Sequence, residues 1–238
     1  LLQRSNFSLI FVLGLLILLS LSGCGGEDET EGPFSSPYAT FKTRQQALAA
    51  NPKNPRHWNT IGIHYYNSGQ VETALQHYRK AIALSPNFAD VYYNMGNSYY
   101  DLGRVQTAIE HFRKALSSNP DHAKAHYNIG ALYYNTRKYE TAIEHFRKAI
   151  VAKPDFADAY LNLGGAHSKL GQHEKALRNY RKVLALNPND AHAYFNMGVA
   201  YRDLGRKEKT RAHFKKVLHL NPNLPQAVAA KTWLQENP

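Results

Sequence analysis

Residues 89–122 read ADVYYNMGNSYYDLGRVQTAIEHFRKALSSNPDH, and this pattern recurs along the chain with a period of 34 residues. Evenly spaced glycines mark the period, and they are Gly62, Gly96, Gly130, Gly164 and Gly198. A fixed period of roughly 20 to 50 residues is typical of architectures in which small structural units stack on one another. The sequence therefore predicts a stacked array, and we expect function on the surface that this array presents.

Two further series keep the same period. Alanines follow the first four glycines by twelve residues, at Ala74, Ala108, Ala142 and Ala176. Prolines close the units, at Pro86, Pro120, Pro154, Pro188 and Pro222. A glycine within a helix costs about 1 kcal/mol relative to alanine, so we expect Gly96 and Ala108 to let two paired helices approach closely. The prolines predict the end of the second helix in each pair.

Nine positions of each unit resemble the signature of the tetratricopeptide repeat family. In the first unit they are Trp58, Ile61, Gly62, Tyr65, Gly69, Ala74, Tyr78, Ala81 and Pro86. In the second they are Tyr92, Met95, Gly96, Tyr99, Gly103, Ala108, Phe112, Ala115 and Pro120. The resemblance implies an all-α fold, a right-handed α-solenoid of antiparallel helix pairs. The departures are local, and they are Arg137, His167, Val183, Thr210 and Val217.

Aligned on these positions, the chain divides into flanking segments and five units. The units are 55–88, 89–122, 123–156, 157–190 and 191–224. A helix within 39–54 is expected to cap the first unit, and a helix within 225–238 is expected to cap the last. Residues 24–38 combine glycine, proline, serine and four carboxylates, a composition that predicts a flexible acidic tether.

Residues 1–23 have the pattern of a secretory signal, with Arg4 ahead of an apolar run from Leu9 to Leu21. The residues Leu21-Ser22-Gly23-Cys24 resemble the lipobox of bacterial lipoprotein precursors, which implies lipidation at Cys24. Cys24 is the only cysteine, so a disulfide within the chain is excluded. We expect a lipid-anchored protein of the bacterial cell envelope that faces the periplasm, on the outer membrane in a diderm. A plain signal peptide with an incidental cysteine is the alternative.

In tetratricopeptide repeats the concave side is lined by the first helix of each unit, and the family resemblance carries this over to particular residues. The expected groove consists of Tyr66, Asn67, Tyr93, Asn97, Tyr100, Asp101, Tyr127, Tyr134, Asn135 and Phe195. Tyrosine combines a large contact area with a polar tip, which suits recognition of a peptide segment from a partner protein. In the alternative interpretation, these tyrosines only pack against the neighbouring unit.

The chain carries a formal net charge of +11, and part of the excess recurs at one place in each second helix. The pairs are Arg79 and Lys80, Arg113 and Lys114, Arg147 and Lys148, Arg181 and Lys182, and Lys215 and Lys216. We call these pairs the basic ridge and expect them to face outward. A solvated face that maintains solubility is one interpretation, and contact with an anionic membrane or wall polymer is the other.

The sequence predicts neither catalysis nor a bound cofactor, metal or small-molecule substrate. Its 12 histidines include His77, His111, His145 and His213, which are copies of one repeat position. His122 and His126 lack the glutamate of a zinc protease motif. Nucleic acid binding is disfavoured, because the glycine, alanine and proline pattern is not that of RNA-binding repeats. The favoured function is a protein-binding scaffold; the alternatives are a recruitment module related to those of glycosyltransferases and a structural homo-oligomer.

Overall fold

The computed structural model describes residues 41–237, which form twelve α-helices and no β-strand. The expected signal segment, Cys24 and the acidic tether lie outside the described residues. Residues 40–238 form one compact unit by their internal contacts.

The helices follow one another at regular intervals. They are α1 (Phe41–Ala50), α2 (Pro55–Asn67), α3 (Val71–Leu84), α4 (Ala89–Asp101), α5 (Val105–Ser118), α6 (Ala123–Asn135), α7 (Tyr139–Ala152), α8 (Ala157–Lys169), α9 (His173–Leu186), α10 (Ala191–Asp203), α11 (Lys207–Leu220) and α12 (Pro225–Glu236). Turns of three residues join the helices within a pair, and turns of four residues join one pair to the next. Such short connections require neighbouring helices to run antiparallel.

The helices pack in sequence order. The most extensive contacts are within the pairs α2–α3, α4–α5, α6–α7, α8–α9 and α10–α11, and each second helix also packs against the next first helix. Between equivalent helices of adjacent pairs, the recurring contacts are made by first helices: α2 with α4, α6 with α8, and α8 with α10. The expected solenoid of antiparallel helix pairs is confirmed. The first helices lie together along one side, which we call the first-helix surface.

The repeated glycines face an aromatic ring rather than the partner backbone. A Cβ atom added at Gly96 would lie 2.4 Å from Phe112 Cε1, and one added at Gly164 would lie 2.5 Å from Tyr180 Cε1. Phe112 and Tyr180 are almost completely buried. The sequence predicted a close approach of the paired helices at this glycine, and in the structure an aromatic ring of the second helix fills the space beside it.

The turn within each pair needs a left-handed residue. Glycine supplies it in four pairs, as at Gly103 with φ of +74°. In the third pair Arg137 adopts φ of +61° at the same place. A non-glycine residue pays a steric cost in this region, so the third turn is the least favourable of the five.

Single helices close the two ends of the array. Ala47 of α1 is buried against the array, and Ala227 and Ala230 of α12 are buried at the other end. Trp233 of α12 packs edge-on against Phe214 at a centroid distance of 5.5 Å. Val228 is 70% exposed on the same helix. The outer side of α12 is therefore exposed to solvent, as expected of a capping helix.

Candidate functional site

Side-chain hydrogen bonds link the first helices of adjacent pairs. Tyr66 Oη donates to Asp101 Oδ2 at 2.5 Å, which joins α2 to α4. Three asparagines continue the series by donating to the preceding first helix: Asn94 to Asn59 at 2.9 Å, Asn128 to Asn97 at 2.8 Å, and Asn162 to the hydroxyl of Tyr127 at 2.8 Å. We call these four bonds the amide ladder. The ladder fixes the spacing of helices α2 to α8 along the first-helix surface.

Three aromatic rings of the expected groove are held by packing. Tyr93 lies 5.8 Å from Phe112 and 5.0 Å from His122 between ring centroids. Tyr127 lies 5.8 Å from Phe146 and 5.0 Å from Phe156. Phe195 stacks on Phe214 at 5.6 Å. Each of the three rings is therefore fixed by the second helix of its own pair.

Burial raises the pKa of Tyr127 to about 12, so its hydroxyl stays protonated at physiological pH. The ring of Tyr127 is packed and its hydroxyl accepts the ladder bond from Asn162. Tyr127 therefore has a structural role, since its ring packs within its own unit and its hydroxyl is bonded to the neighbouring unit, as the alternative interpretation expects in part. Burial, together with its bond to Asp101, also raises the pKa of Tyr66.

Other expected groove residues keep their polar groups available. The hydroxyls of Tyr93, Tyr100 and Tyr134 make no hydrogen bond within residues 41–237, although their rings are half-buried. Asn67 and Asn135 are exposed and likewise form no side-chain hydrogen bond with the described part of the chain. The expected groove therefore divides into residues that hold the first helices together and residues with unused polar tips. The second set lies on α2, α4 and α6.

The first-helix surface is close to electrically neutral. Charged residues occur here at the second, twelfth and thirteenth positions of the first helices. The acidic ones are Asp90, Asp101, Asp158 and Asp203, and the basic ones are Arg56, Lys124, Lys169 and Arg202. Two of these acidic groups are paired. Arg202 bonds to Asp203 at 2.9 Å, and His122 Nε2 lies 3.1 Å from Asp90 Oδ1, a hydrogen bond that lowers the pKa of Asp90. The surface thus has no strong preference for a charged ligand.

The arginines of the basic ridge are exposed, yet three of the four also hold adjacent pairs together. Arg79 donates to the hydroxyl of Tyr99 at 3.2 Å, Arg113 to Tyr133 at 3.1 Å, and Arg181 to Tyr201 at 3.2 Å. Each tyrosine lies twenty residues later, in the next first helix. These contacts were not predicted from the sequence, although arginine and tyrosine recurring at that interval would have indicated them.

Three of the six ridge lysines contact an aromatic ring of their own pair. Lys80 Nζ lies 4.4 Å from the centroid of Trp58, and Lys114 and Lys216 lie 6.0 and 5.9 Å from Tyr92 and Tyr194. These distances are within the range of cation–π attraction. The basic ridge therefore has a packing role in addition to the solubility or anion contact that its charge can provide.

Sequence models of known families match the chain over the same helices. A TPR repeat model matches residues 62–103 and 166–205. Two tetratricopeptide repeat models match residues 93–157, 132–177 and 191–224. Together they cover 62–224 without a gap, which is more than half of the 238 residues. The chain belongs to the tetratricopeptide repeat family.

Solved structures of other tetratricopeptide repeat proteins share the fold. The crystal structure of MamA is 29% identical, with a TM-score of 0.63, and the match covers 68% of this chain and 95% of MamA. YrrB, described as a TPR protein with an unusual peptide-binding site, is 23% identical, with a TM-score of 0.66 and coverage of 79% and 97%. A chain in the crystal structure of the APC/C hetero-tetramer Cut9-Hcn1 is 21% identical, with a TM-score of 0.66 and coverage of 82% and 38%. The last two show the fold alone. No curated protein matches the chain.

Histidines of the tetratricopeptide units pack on tyrosines. His77, His111 and His213 bond through Nδ1 to the carbonyl oxygen four residues earlier. His145 differs, because its Nδ1 lies 3.2 Å from Nδ1 of His126. Within residues 41–237, no three His, Cys, Asp or Glu side chains are grouped so that they could hold a metal ion. None of the helices in this range is long and apolar enough to span a membrane.

Proposed function

We propose that this tetratricopeptide repeat protein is a non-enzymatic scaffold of the cell envelope. A lipid on Cys24 anchors it to the membrane, and the first-helix surface binds a segment of a partner protein. The observation that carries the proposal is the set of unused polar tips on Tyr93, Tyr100 and Tyr134, with Asn67 and Asn135 beside them. No cofactor or small-molecule substrate takes part.

Rigid rings with unused hydroxyls favour binding of a peptide. The ring of Tyr93 is already held against Phe112 and His122, so little side-chain entropy is lost when a ligand covers it. Asparagine amides offer both a donor and an acceptor, which match the N–H and C=O groups of an extended backbone. These features support an extended segment bound over α2, α4 and α6.

The charge of the surface narrows the class of partner. Acidic and basic side chains occur in equal number there, and two of the acidic ones are already paired. A ligand with a strong charge of either sign gains little from such a surface. We therefore expect a partner segment that is largely uncharged and contributes apolar or aromatic side chains.

Crosslinking in living cells tests the surface and needs no candidate partner. A photoreactive phenylalanine analogue placed at Tyr100 reports contacts on the first-helix surface. The same analogue at Gln76, an exposed residue of α3, is the matched control on a second helix. We expect a discrete crosslinked protein from position 100 and none from position 76.

A second variant tests the hydroxyls themselves. Replacing Tyr93, Tyr100 and Tyr134 with phenylalanine keeps the packed rings and removes only the polar tips. We expect the crosslink from a probe at Asn67 to weaken in this variant while the melting temperature stays within a few degrees. Equal crosslinks from positions 76 and 100 would contradict the proposal, and a crosslink to a second copy of this chain would favour the homo-oligomer.

The anchor needs a separate test. Cells grown with labelled palmitate should incorporate the label into the wild-type protein and not into Cys24→Ser. The same fractionation should find wild type with membranes and the variant released. Label in both proteins, or in neither, would overturn the lipid anchor while leaving the peptide-binding proposal intact.

A further inference from the structure

Positive charge is distributed unevenly over the second helices. Helix α9 contains four basic residues and one acidic residue, and α11 contains five and one. Helices α3 and α5 each contain two basic residues and one acidic residue, and α7 contains two of each. The last two second helices therefore hold most of the excess charge on this side of the array.

The difference arises at equivalent places of the repeat. Thr107 of α5 and Thr141 of α7 correspond to Lys175 of α9 and Lys209 of α11. Glu110 and Glu144 correspond to Arg178 of α9. Packing does not demand these changes, because Lys175, Arg178 and Lys209 are all exposed.

On α9 the charges form a single stripe. Lys175, Arg178 and Lys182 are spaced at three and four residues, so they lie on one face of the helix. The opposite face buries Ala176, Leu177, Tyr180 and Val183. Because α9 and α11 hold equivalent places in consecutive pairs, Lys209 of α11, which corresponds to Lys175, extends the same surface. We call these four residues the C-terminal basic face.

The one acidic residue of α9 does not neutralise this face. Glu174 Oε1 accepts from Arg206 Nη2 at 2.6 Å, so its charge is matched by an arginine outside the face. The amines of Lys175 and Lys182 and the guanidinium of Arg178 have no carboxylate within 4.0 Å among residues 41–237. A surface of this kind attracts an anionic partner.

We propose that the C-terminal basic face binds the headgroups of anionic phospholipids. The aromatic rings near it are occupied rather than open for stacking on bases, since Tyr201 lies 5.4 Å beneath Lys209 and its hydroxyl accepts from Arg181. Leu186, 44% exposed, follows Lys182 by one turn and places an apolar group beside the charges. Basic side chains with an adjacent apolar group are typical of helices that lie at a membrane surface.

This binding goes beyond partner capture on the first-helix surface and does not depend on it. It also restricts the expected membrane contact to one part of the basic ridge, because α5 and α7 carry Glu110 and Glu144 where α9 carries Arg178. The largest excess of positive charge on this side therefore lies on α9 and α11. A membrane contact there leaves α2, α4 and α6 exposed for the partner.

Vesicle co-sedimentation tests the proposal on the compact unit of residues 40–238, which lacks the lipid. One vesicle preparation contains equal parts of phosphatidylglycerol and phosphatidylcholine, and the other contains phosphatidylcholine alone. The test variant is Lys175→Glu with Arg178→Glu and Lys182→Glu. The control is Lys53→Glu with Arg56→Glu and Arg104→Glu, which changes net charge equally at exposed residues far from α9.

We expect the wild type to bind the anionic vesicles and not the neutral ones. A basic residue near an anionic surface is worth a factor of about five, so the test variant should bind about 100-fold more weakly. The control should lose much less. Equal losses in both variants, binding to neutral vesicles, or tight binding to RNA without binding to vesicles would each overturn the proposal. Circular dichroism of both variants checks that the helices are unchanged.

Discussion

The first three tetratricopeptide units and the last two share their packing and differ on their surfaces. Gly96 and Gly198 both lie against an aromatic ring, of Phe112 and Phe214, with added Cβ distances of 2.4 and 2.5 Å. Yet Tyr100 at the end of α4 corresponds to Arg202 at the end of α10. The amide ladder runs from α2 to α8, and among the described residues no such bond joins α8 to α10.

This difference separates the two surfaces along the chain. Polar side-chain groups available to a peptide lie on α2, α4 and α6, while the largest excess of positive charge lies on α9 and α11. Residues that pack between helices are fixed by geometry in every unit, but exposed residues can change without loss of stability. A repeat protein can therefore carry two functions on one scaffold, provided that they occupy different units and different sides.

The largest expected effects are on the free energy of unfolding, and they test whether the second and last units are packed equally well. Phe112→Ala and Phe214→Ala each remove a fully buried ring, and each should lower the free energy of unfolding by about 3 to 5 kcal/mol. Urea denaturation followed by circular dichroism measures both. A loss for Phe214→Ala below half that for Phe112→Ala would show that the last unit is packed more loosely than the second.

Two adjacent glycines of α8 give the next largest contrast. Gly164→Ala forces a Cβ atom to within 2.5 Å of the Tyr180 ring, and the cost of overpacking exceeds the gain in helix propensity, for a net loss of about 1 to 2 kcal/mol. Gly165→Ala meets its nearest atom, the Tyr134 hydroxyl, at 3.4 Å and should stabilise the protein by up to about 1 kcal/mol. Thermal melting of the two variants should shift in opposite directions. Destabilisation of similar size by both would refute the assignment of Gly164 alone to ring packing.

Most of the fold could be predicted because its determinants recur. The period of Gly62 and its equivalents gave the helix pairs, and the resemblance to a known repeat gave their packing. The predicted role of the glycine was less accurate, since a sequence does not show whether the ring of Phe112 points toward Gly96 or lies along the interface between the two helices. That direction depends on the angle between the paired helices, which only the three-dimensional structure gives.

The candidate site was harder to predict than the fold. The family pattern placed both Tyr127 and Tyr100 in the peptide-binding groove. In the structure Tyr127 is packed and hydrogen-bonded, while the Tyr100 hydroxyl forms no hydrogen bond among the described residues. The difference depends on Phe156, at the end of the same unit, and on Asn162 of the following unit, which both lie about 30 residues further along the chain. Similarly, charge pairs such as Arg181 and Lys182 drew attention because they repeat. The residues that distinguish α9 from the first three second helices, Lys175 and Arg178, have no basic equivalent in α3, α5 or α7 and were overlooked.

The amide ladder supplies a prediction that distinguishes the two regions directly. Asn128→Ala removes the 2.8 Å bond to Asn97 and should cost about 1 kcal/mol of unfolding free energy. Asn196 occupies the equivalent place in α10 and has no side-chain hydrogen bond within residues 41–237. Asn196→Ala should therefore change stability by less than about 0.5 kcal/mol. Equal costs in urea titrations would mean that the ladder bond contributes nothing beyond the helix itself.

The smallest expected effect is a loss of folding stability at acidic pH, and it arises in the third unit. Burial lowers the pKa of His145 to about 4, with His126, Lys148 and Arg113 adding repulsion, and burial also lowers the pKa of His126. The unfolded chain takes up these protons near pH 6.5, before the folded protein does. Stability is therefore complete above about pH 6.5 and declines as the pH falls from there toward 4.

Replacing His126 with tyrosine should reduce this acid sensitivity. Tyr92, Tyr160 and Tyr194 occupy the equivalent place in other units, so the larger ring has a precedent in the same packing. Because His145 is only half-buried and solvent screens its charge, we expect a gain of about 1 kcal/mol at pH 5 relative to pH 7.5. Melting curves of wild type, His126→Tyr and the exposed control His192→Tyr at both pH values measure it. If the fall in melting temperature is the same in all three proteins, the acid response arises from groups spread over both regions rather than from the pair of histidines in α6 and α7.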